Sequence, residues 1–345
     1  RLCGCGTAAD GRAVDLTAIG KLAAGSDHVA IDRDGFVVPK KAGKTTVKVT
    51  VGAKSVDVPV EIKNVTNHPV SFIRDVIPAI SKVGCNAGTC HGAQKGKRGF
   101  KLSLRGYDPL YDYRALVDDL SGRRFNRSRP EQSLMLLKPT QGVPHEGGFL
   151  FDEKSRTYSV LKQWIAEGCR FDTAKRVARI EVFPKKPLLE TTDSQQQLIV
   201  MAHFSDGTSR DVTRDAVFET SDFEVATVNK TGRIEAVRRG EAAALVRYEG
   251  LYAAAPVAII GNREGFAWKA APERNYIDKL VNAKLQRMKI LPSGTCSDAE
   301  FLRRASIDLT GLPPTVEQVK LFLADKRPTI AKRNAKIDQL IGSPQ

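Results

Sequence analysis

Two stretches of strict alternation constrain this chain most. Val47, Val49 and Val51 alternate with other residues, Gly52-Ala53 follows, and Val56, Val58, Val60 and Ile62 alternate again. A period of two puts each apolar set on one face of a strand, which predicts an antiparallel hairpin with one buried face. Upstream, Val29-Ala30-Ile31-Asp32, the turn Asp34-Gly35 and Phe36-Val37-Val38 predict a shorter hairpin. A fuller copy runs from about Val177 to Gly261. It opens with Arg179-Ile180-Glu181-Val182, continues through Leu198, Val200, Ala202 and Phe204 to the turn Ser205-Asp206-Gly207-Thr208, and closes with Ala244, Val246, Val257 and Ile259. Gly232 and Gly240 stand eight residues apart in it, as Gly35 and Gly43 do in the first copy. One repeat at a long interval is a module used twice, not a solenoid.

The segment between the copies has a different period. Val70, Phe72, Ile73, Val76, Ile77, Ile80 and Val83 recur at helical spacing, and Gly84 ends the stripe. Tyr158, Leu161, Trp164 and Ile165 predict a second helix, ended by Gly168. Directly after the first stripe comes Gly84-Cys85-Asn86-Ala87-Gly88-Thr89-Cys90-His91-Gly92. Two cysteines followed at once by a histidine is the order that attaches a haem covalently. Each thiol adds across one vinyl group, and the imidazole of His91 binds iron. The gap here is C-x-x-x-x-C-H rather than C-x-x-C-H, so the extra residues must bulge, and Ala87-Gly88 suits that. The same residues also allow a local disulfide in an exported protein. They allow zinc with His91 too, although no second Cys/His pair at zinc spacing completes a tetrahedral site.

The second axial position has three candidates: Met135, His145 or no ligand at all. Met135 lies in the apolar run Ser133-Leu134-Met135-Leu136-Leu137 and reads as core. His145 lies in Val143-Pro144-His145-Glu146-Gly147-Gly148, a loop shortly before the second helix, where a proline and two glycines permit close approach to a ring. The plainer reading of His145 is a surface loop histidine. His28 and His203 fall in the β modules and His68 in a linker.

Size and charge bound the rest. A chain of 345 residues holds two to four domains. No apolar run reaches membrane-spanning length. The net charge of +15 comes from 54 basic and 39 acidic residues spread along the chain, dense only at Lys95 to Arg105 and Arg123 to Arg129. With no zinc-finger, RNP or basic-helix pattern beside them, this reads as a solvated basic surface and not as a nucleic-acid interface. Six cysteines are too few for a disulfide scaffold, and nothing in the spacing of Cys3, Cys5, Cys169 and Cys296 pairs them. The start at Arg1 and the end at Gln345 read as a piece of a longer, processed protein.

The last segment predicts helices. Ile277, Leu280, Val281, Leu285 and Met288 share a face. Ser297 with Glu300, and Thr315 with Gln318, form capping boxes, and Leu309 to Pro314 breaks the chain between them. Ile330, Ile337, Leu340 and Ile341 suggest a fourth helix. No carboxylate pair, nucleophile–base pair or phosphate loop stands out, so no catalytic residue is assigned.

Several of these stretches resemble known families. VATVNKTGRIEAVRRGEAAALVRY resembles the bacterial immunoglobulin-like group 2 domain, and VAIDRDGFVVPKKAGKTTVKVTV a shortened version of it. CHGAQKGKRGFKLSLRGYDPLYDYRALV, NRSRPEQSLMLLKP, VPHEGG and LKQWIAEG resemble the cytochrome domain of large planctomycete surface proteins. The stretch from Asn275 on, with RRASIDLTGLPP as its signature, resembles the start of a planctomycete cytochrome-associated domain of unknown function. That cytochrome domain usually carries C-x-x-C-H, from which this chain departs.

The resemblance implies a multidomain fold: a mostly-α cytochrome c domain flanked by Ig-like β-sandwich modules, with a C-terminal α-helical domain. The implied boundaries are residues 1–63, 64–173, 174–262 and 263–345. It implies one covalent haem c on Cys85 and Cys90, with His91 and His145 as iron ligands. It implies electron transfer or redox sensing with a redox partner protein, at the periplasm or cell surface. A reading of another class is an adhesion or glycan-binding scaffold, with cell-surface polysaccharide as partner and the haem secondary.

Overall fold

Gly52, at φ 57°, turns the chain between the strands Gly43–Val51 and Lys54–Ile62, which pair antiparallel with Val47 opposite Val58 and Val49 opposite Val56. Gly43–Val51 is central, with Lys21–Ala24 on its other edge. This is the first feature of the computed structural model, which describes residues 2, 4–7, 13–32, 34–65, 68–172 and 176–343. Cys3 lies outside the described residues. The alternation gives the right pairing but only partial cover. Val29, Val47 and Ile62 form a small core, while Val56 remains 65% exposed.

The repeat is visible as turn chemistry. In the hairpin Val29–Ile31 with Val37–Pro39, the Asp32 carboxylate accepts the N–H groups of Asp34 and Phe36 at 3.0 and 2.9 Å. In the hairpin Ala226–Val228 with Arg233–Ala236, the Asn229 side chain accepts those of Thr231 and Arg233 at 3.0 and 2.9 Å. Gly35 and Gly232 follow at φ 78° and 80°, the left-handed position such a turn requires. A nine-residue strand then starts at Gly43 or Gly240 and folds back on a nine-residue partner.

The second copy carries more around this frame. Gly240–Tyr248 pairs with Val217–Thr220 on one side and with Leu251–Ile259 on the other, and Leu188–Leu189 adds a parallel edge. A three-stranded sheet of Ser209–Asp211, Ile199–Phe204 and Val177–Phe183 packs its alternate residues into the same core. Leu198, Val200, Ala202 and Phe204 are all buried there, as their period requires.

Between the copies, the chain forms short helices hung on an aromatic core: α1 (Ile77–Lys82), α2 (Pro109–Val117), α3 (Leu134–Leu137) and α4 (Arg156–Ala166). A wide turn, Phe72–Val76, leads into α1, with Asp75 and Val76 both bonding the Ser71 carbonyl. Trp164 of α4 is fully buried against Phe72 and Phe125, and its indole N–H donates to the Arg170 carbonyl at 2.9 Å. Glu167 and Asp172 accept the N–H groups of Val70 and Phe72, closing the two ends of the segment on each other.

The expected fold class is corrected here. The described chain is β-rich, with six separate sheets, and residues 64–173 are not mostly α. The α-helices of that stretch have 6, 9, 4 and 11 residues, and most of it is turn and loop. The physical reason is backbone conformation. Gly84, Gly96, Arg98, Gly99, Arg105, Gly106, Leu120, Ser121, Gly122, Gln141 and Gly148 all have φ between 51° and 85°, and none of these can continue a helix. The flanking stretches are small sheets and hairpins of uneven size, not two matched Ig-like sandwiches.

The chain divides into two compact units, Arg1–Glu264 and Gly265–Gln345. Within the first, ion pairs tie the helical segment to the second β copy: Arg74 to Asp206 at 3.0 Å, Arg156 to Asp215 at 3.2 Å and Arg210 to Asp75 at 2.9 Å. Lys82 at the end of α1 donates to the carbonyls of Ala216 and Lys230, and burial lowers its amine to about 8. Arg214 reaches Asp32 of the first copy at 2.7 Å.

The second unit holds α5 (Tyr276–Arg287), α6 (Asp298–Thr310), α7 (Val316–Ala324) and α8 (Thr329–Ile341). Capping boxes start α6 at Ser297 and α7 at Thr315, and a further one, from Asn275 to Asp278, starts α5. On α5 the first part of the apolar stripe is exposed, Leu280 at 65% with Ile277 and Val281, while Met288 at its end and the polar Asn282 are buried. No helix among the described residues is long and apolar enough to cross a membrane.

Candidate functional site

The cysteine loop leaves α1 at Gly84, φ 85°, and is tied by its own backbone. The Ala87 carbonyl accepts from both Cys90 N–H (2.9 Å) and Gly92 N–H (3.1 Å), and the Cys85 carbonyl accepts from His91 N–H at 3.0 Å. These bonds absorb the two extra residues of the C-x-x-x-x-C-H gap. Asn86 anchors the loop inside, its amide donating to Ser81 Oγ at 2.7 Å, and its carbonyl accepts Arg105 N–H at 2.9 Å. A Cβ at Gly92 would stand 2.1 Å from that carbonyl, so only glycine fits immediately after His91. The left-handed glycine is Gly84, whereas Gly88, the residue expected to ease the bulge, is not left-handed.

Cys85, Cys90, His91, Met135 and His145 all line one cavity of about 340 Å³. Its walls include Leu102, Leu116, Leu150, Phe151 and Leu161, and Lys97, Arg98, Arg123, Arg124 and Lys138 add cationic side chains to the lining. Burial and the neighbouring Cys90 push the Cys85 thiol up to about 12, so it stays protonated at neutral pH. Cys85 and Cys90 are both free thiols, as are Cys169 and Cys296. Among the described residues, no three His, Cys, Asp or Glu side chains converge as an ion-binding group.

The two imidazoles are set alike. His91 Nδ1 bonds the Phe100 carbonyl at 3.1 Å, and His145 Nδ1 bonds the Gly148 carbonyl at 2.9 Å. A carbonyl only accepts, so Nδ1 carries a proton in each ring, and in the neutral form of such a ring it is Nε2 that keeps the lone pair. Burial holds His91 below the ordinary imidazole value, against the pull of the Phe100 carbonyl. Charge at His145, Arg124 and Lys138 lowers it further. His145 rests on Gly147, where a Cβ would stand 2.8 Å from Cε1. His28 and His203 lie elsewhere, bonded to Ser26 and to Ser209 and Glu181.

Sequence reading missed Phe100 and Arg124. Phe100 closes the tight turn Lys97-Arg98-Gly99, exchanging backbone bonds with Lys97 at 2.9 and 3.0 Å, and its ring centroid is 4.5 Å from that of His91. Arg124 lies over the Phe100 ring at 4.1 Å. The cluster Gly96 to Gly99 was the available signal of a fixed turn, but nothing in the sequence linked it to His91.

Residues 276–345 match the family PSCyt2, described as a protein of unknown function (DUF1549). No curated protein matches the chain. Among solved structures it is similar to surface layer protein SbsC domains 1-6, at 10% identity and a TM-score of 0.24, covering 71% of this chain and 20% of that one. It is also similar to SbsC domains 4-9, at 11% identity and 0.23, covering 78% and 28%. The chain thus spans less than a third of those structures, and a likeness at such TM-scores assigns neither fold nor function.

Proposed function

We propose that the cavity holds one covalently attached haem and that the protein passes single electrons, as a carrier or a redox sensor, at the periplasm or cell surface. One observation carries this reading: two thiols and two imidazoles, each imidazole with Nδ1 engaged by a backbone carbonyl, line a single cavity with apolar walls. The residues fit the group. Cys85 and Cys90 are free thiols lining the same cavity, where each could form a thioether, and the leucines and Phe151 exclude water from a flat apolar ring. Lys97, Arg123 and Lys138 of the lining suit the ring's two carboxylates. When bound, haem supplies one-electron chemistry.

The chain's residues do the rest. Phe100 and Gly148 fix the tautomers of His91 and His145 through their carbonyls. His91 and His145 would hold the iron between two nitrogen donors, which would favour a lower potential than a histidine–methionine pair. Met135 shares the cavity but His145 is the ligand in this reading, because its ring is anchored for the purpose and backed by Gly147.

The test is the intact mass and absorption spectrum of protein made in a host with haem-attachment machinery. One haem should survive acid–acetone extraction, and the ferric form should be low-spin. His145→Ala should turn it high-spin and able to bind carbon monoxide when reduced. A bare polypeptide mass, or a Met135→Leu spectrum that changes while that of His145→Ala does not, overturns the reading.

A further inference from the structure

Behind His91 the structure builds something that simple ligation does not need. The Phe100 carbonyl that takes the His91 Nδ1 proton also accepts Lys97 N–H at 2.9 Å. Only glycine fits at Gly96 beside it, since a Cβ there would stand 2.4 Å from that carbonyl. The Phe100 ring is tilted 50° to the His91 ring. Against the same ring lies the Arg124 guanidinium, which is itself held, since Nη1 donates to the Asp119 carbonyl at 3.3 Å. Its backbone is fixed too, the Arg124 carbonyl accepting Met135 N–H at 3.2 Å. Arg98, another cation of the lining, is already paired with Glu146 at 3.3 Å.

We infer that Phe100 is the positioning residue of His91 and that Arg124, locked on the Phe100 ring, is a fixed positive charge that sets the redox poise of the site. The inference rests on the haem reading. A cation near a redox centre favours the state that carries less positive charge, which is the reduced one, and it does so more strongly in a low-dielectric cavity than in water. An aromatic face holds a guanidinium without neutralising it, unlike a carboxylate. Arg124 thereby partly offsets the low potential that two histidine ligands impose.

The experiment is spectroelectrochemical titration of the haem-loaded protein. Arg124→Gln should lower the midpoint potential, with the low-spin spectrum kept. Arg124→Lys should retain most of the wild-type value. In the Phe100→Leu background, which releases the guanidinium, the Arg124→Gln shift should shrink. Arg124→Met reads the same loss of charge if the glutamine variant fails to load. An unchanged potential in Arg124→Gln overturns the inference, as does a Lys variant shifted as far as the Gln one, or a Gln shift undiminished by Phe100→Leu. A wild type that is red with invariant potentials sinks this inference alone. A colourless wild type sinks the haem reading and this inference with it.

Discussion

The second β copy and the helical segment before it are built in opposite ways. Residues 177–260 put nearly every alternating apolar side chain into one closed core, from Val182 through Tyr248 to Ile259. Residues 70–172 pack Phe72, Leu136, Leu161 and Trp164 on one side of their helices and leave a 340 Å³ cavity beside them, lined by thiols, imidazoles and cations. The first region is filled by pattern. The second is held open by loops whose backbones bond to one another, and such loops carry binding groups because a packed core has no room for them.

The sharpest way to break that comparison is a deletion in each core. Trp164→Ala should cost about 3–5 kcal/mol and abolish haem loading, because the indole supports both α4 and the Arg170 carbonyl. Leu198→Ala should cost about 3 kcal/mol yet leave the spectrum of the loaded protein unchanged. Denaturant titration with absorption read in parallel checks both. Equal spectral damage from the two would mean that the regions are not separate in function.

A smaller and more local effect is expected at Gly147. Its backbone accepts alanine, so Gly147→Ala should cost about 1 kcal/mol or less. The added methyl would stand 2.8 Å from His145 Cε1, and the ring must move. Low-spin ligation should weaken while stability barely changes, as visible spectra and thermal melts would record. No spectral change would mean that His145 does not serve the cavity.

The smallest effect is on pH dependence. Asp112 of α2 is buried and accepts Ser103 N–H and Oγ–H, the latter at 2.7 Å, next to Leu102, which donates to the His91 carbonyl at 2.8 Å. Burial raises its carboxyl from the ordinary 3.8 to about 6. The folded chain therefore binds a proton more tightly than the unfolded one. That contribution to stability is complete below pH 3.8 and is lost as pH rises through about 6. Asp112→Asn should flatten this slope in denaturant titrations between those values. A slope equal to wild type would place Asp112 among ordinary surface carboxylates.

Much of the local structure was legible. Asp32-x-Asp34-Gly35 and Asn229-x-Thr231-Gly232 state their turns directly, because a side-chain acceptor and a left-handed glycine act within four residues. Ser297 with Glu300 and Thr315 with Gln318 state helix starts for the same reason. The stripe Ile277, Leu280, Val281 was legible as one face of a helix but its exposure was not, since periodicity names a face and not what covers it. The expected mostly-α fold failed because the scattered left-handed residues between Gly84 and Gly148 are individually weak signals that together break the chain into loops.

For the proposed site, the sequence by itself named the candidates: Cys85, Cys90 and His91 by residue type and order, and His145 by its loop. Their common cavity was decided by tertiary structure, and so was the tautomer of each ring, since Phe100 is nine residues from His91 and Gly148 owes its place to the loop that Gly147 permits. Arg124 is further still, meeting Phe100 only after α2 and the turn at Leu120 to Gly122 bring it back. Bonds within a turn are written in neighbouring residues. A charge resting on a ring that braces an imidazole depends on three separate segments arriving at one place, and only packing brings them there.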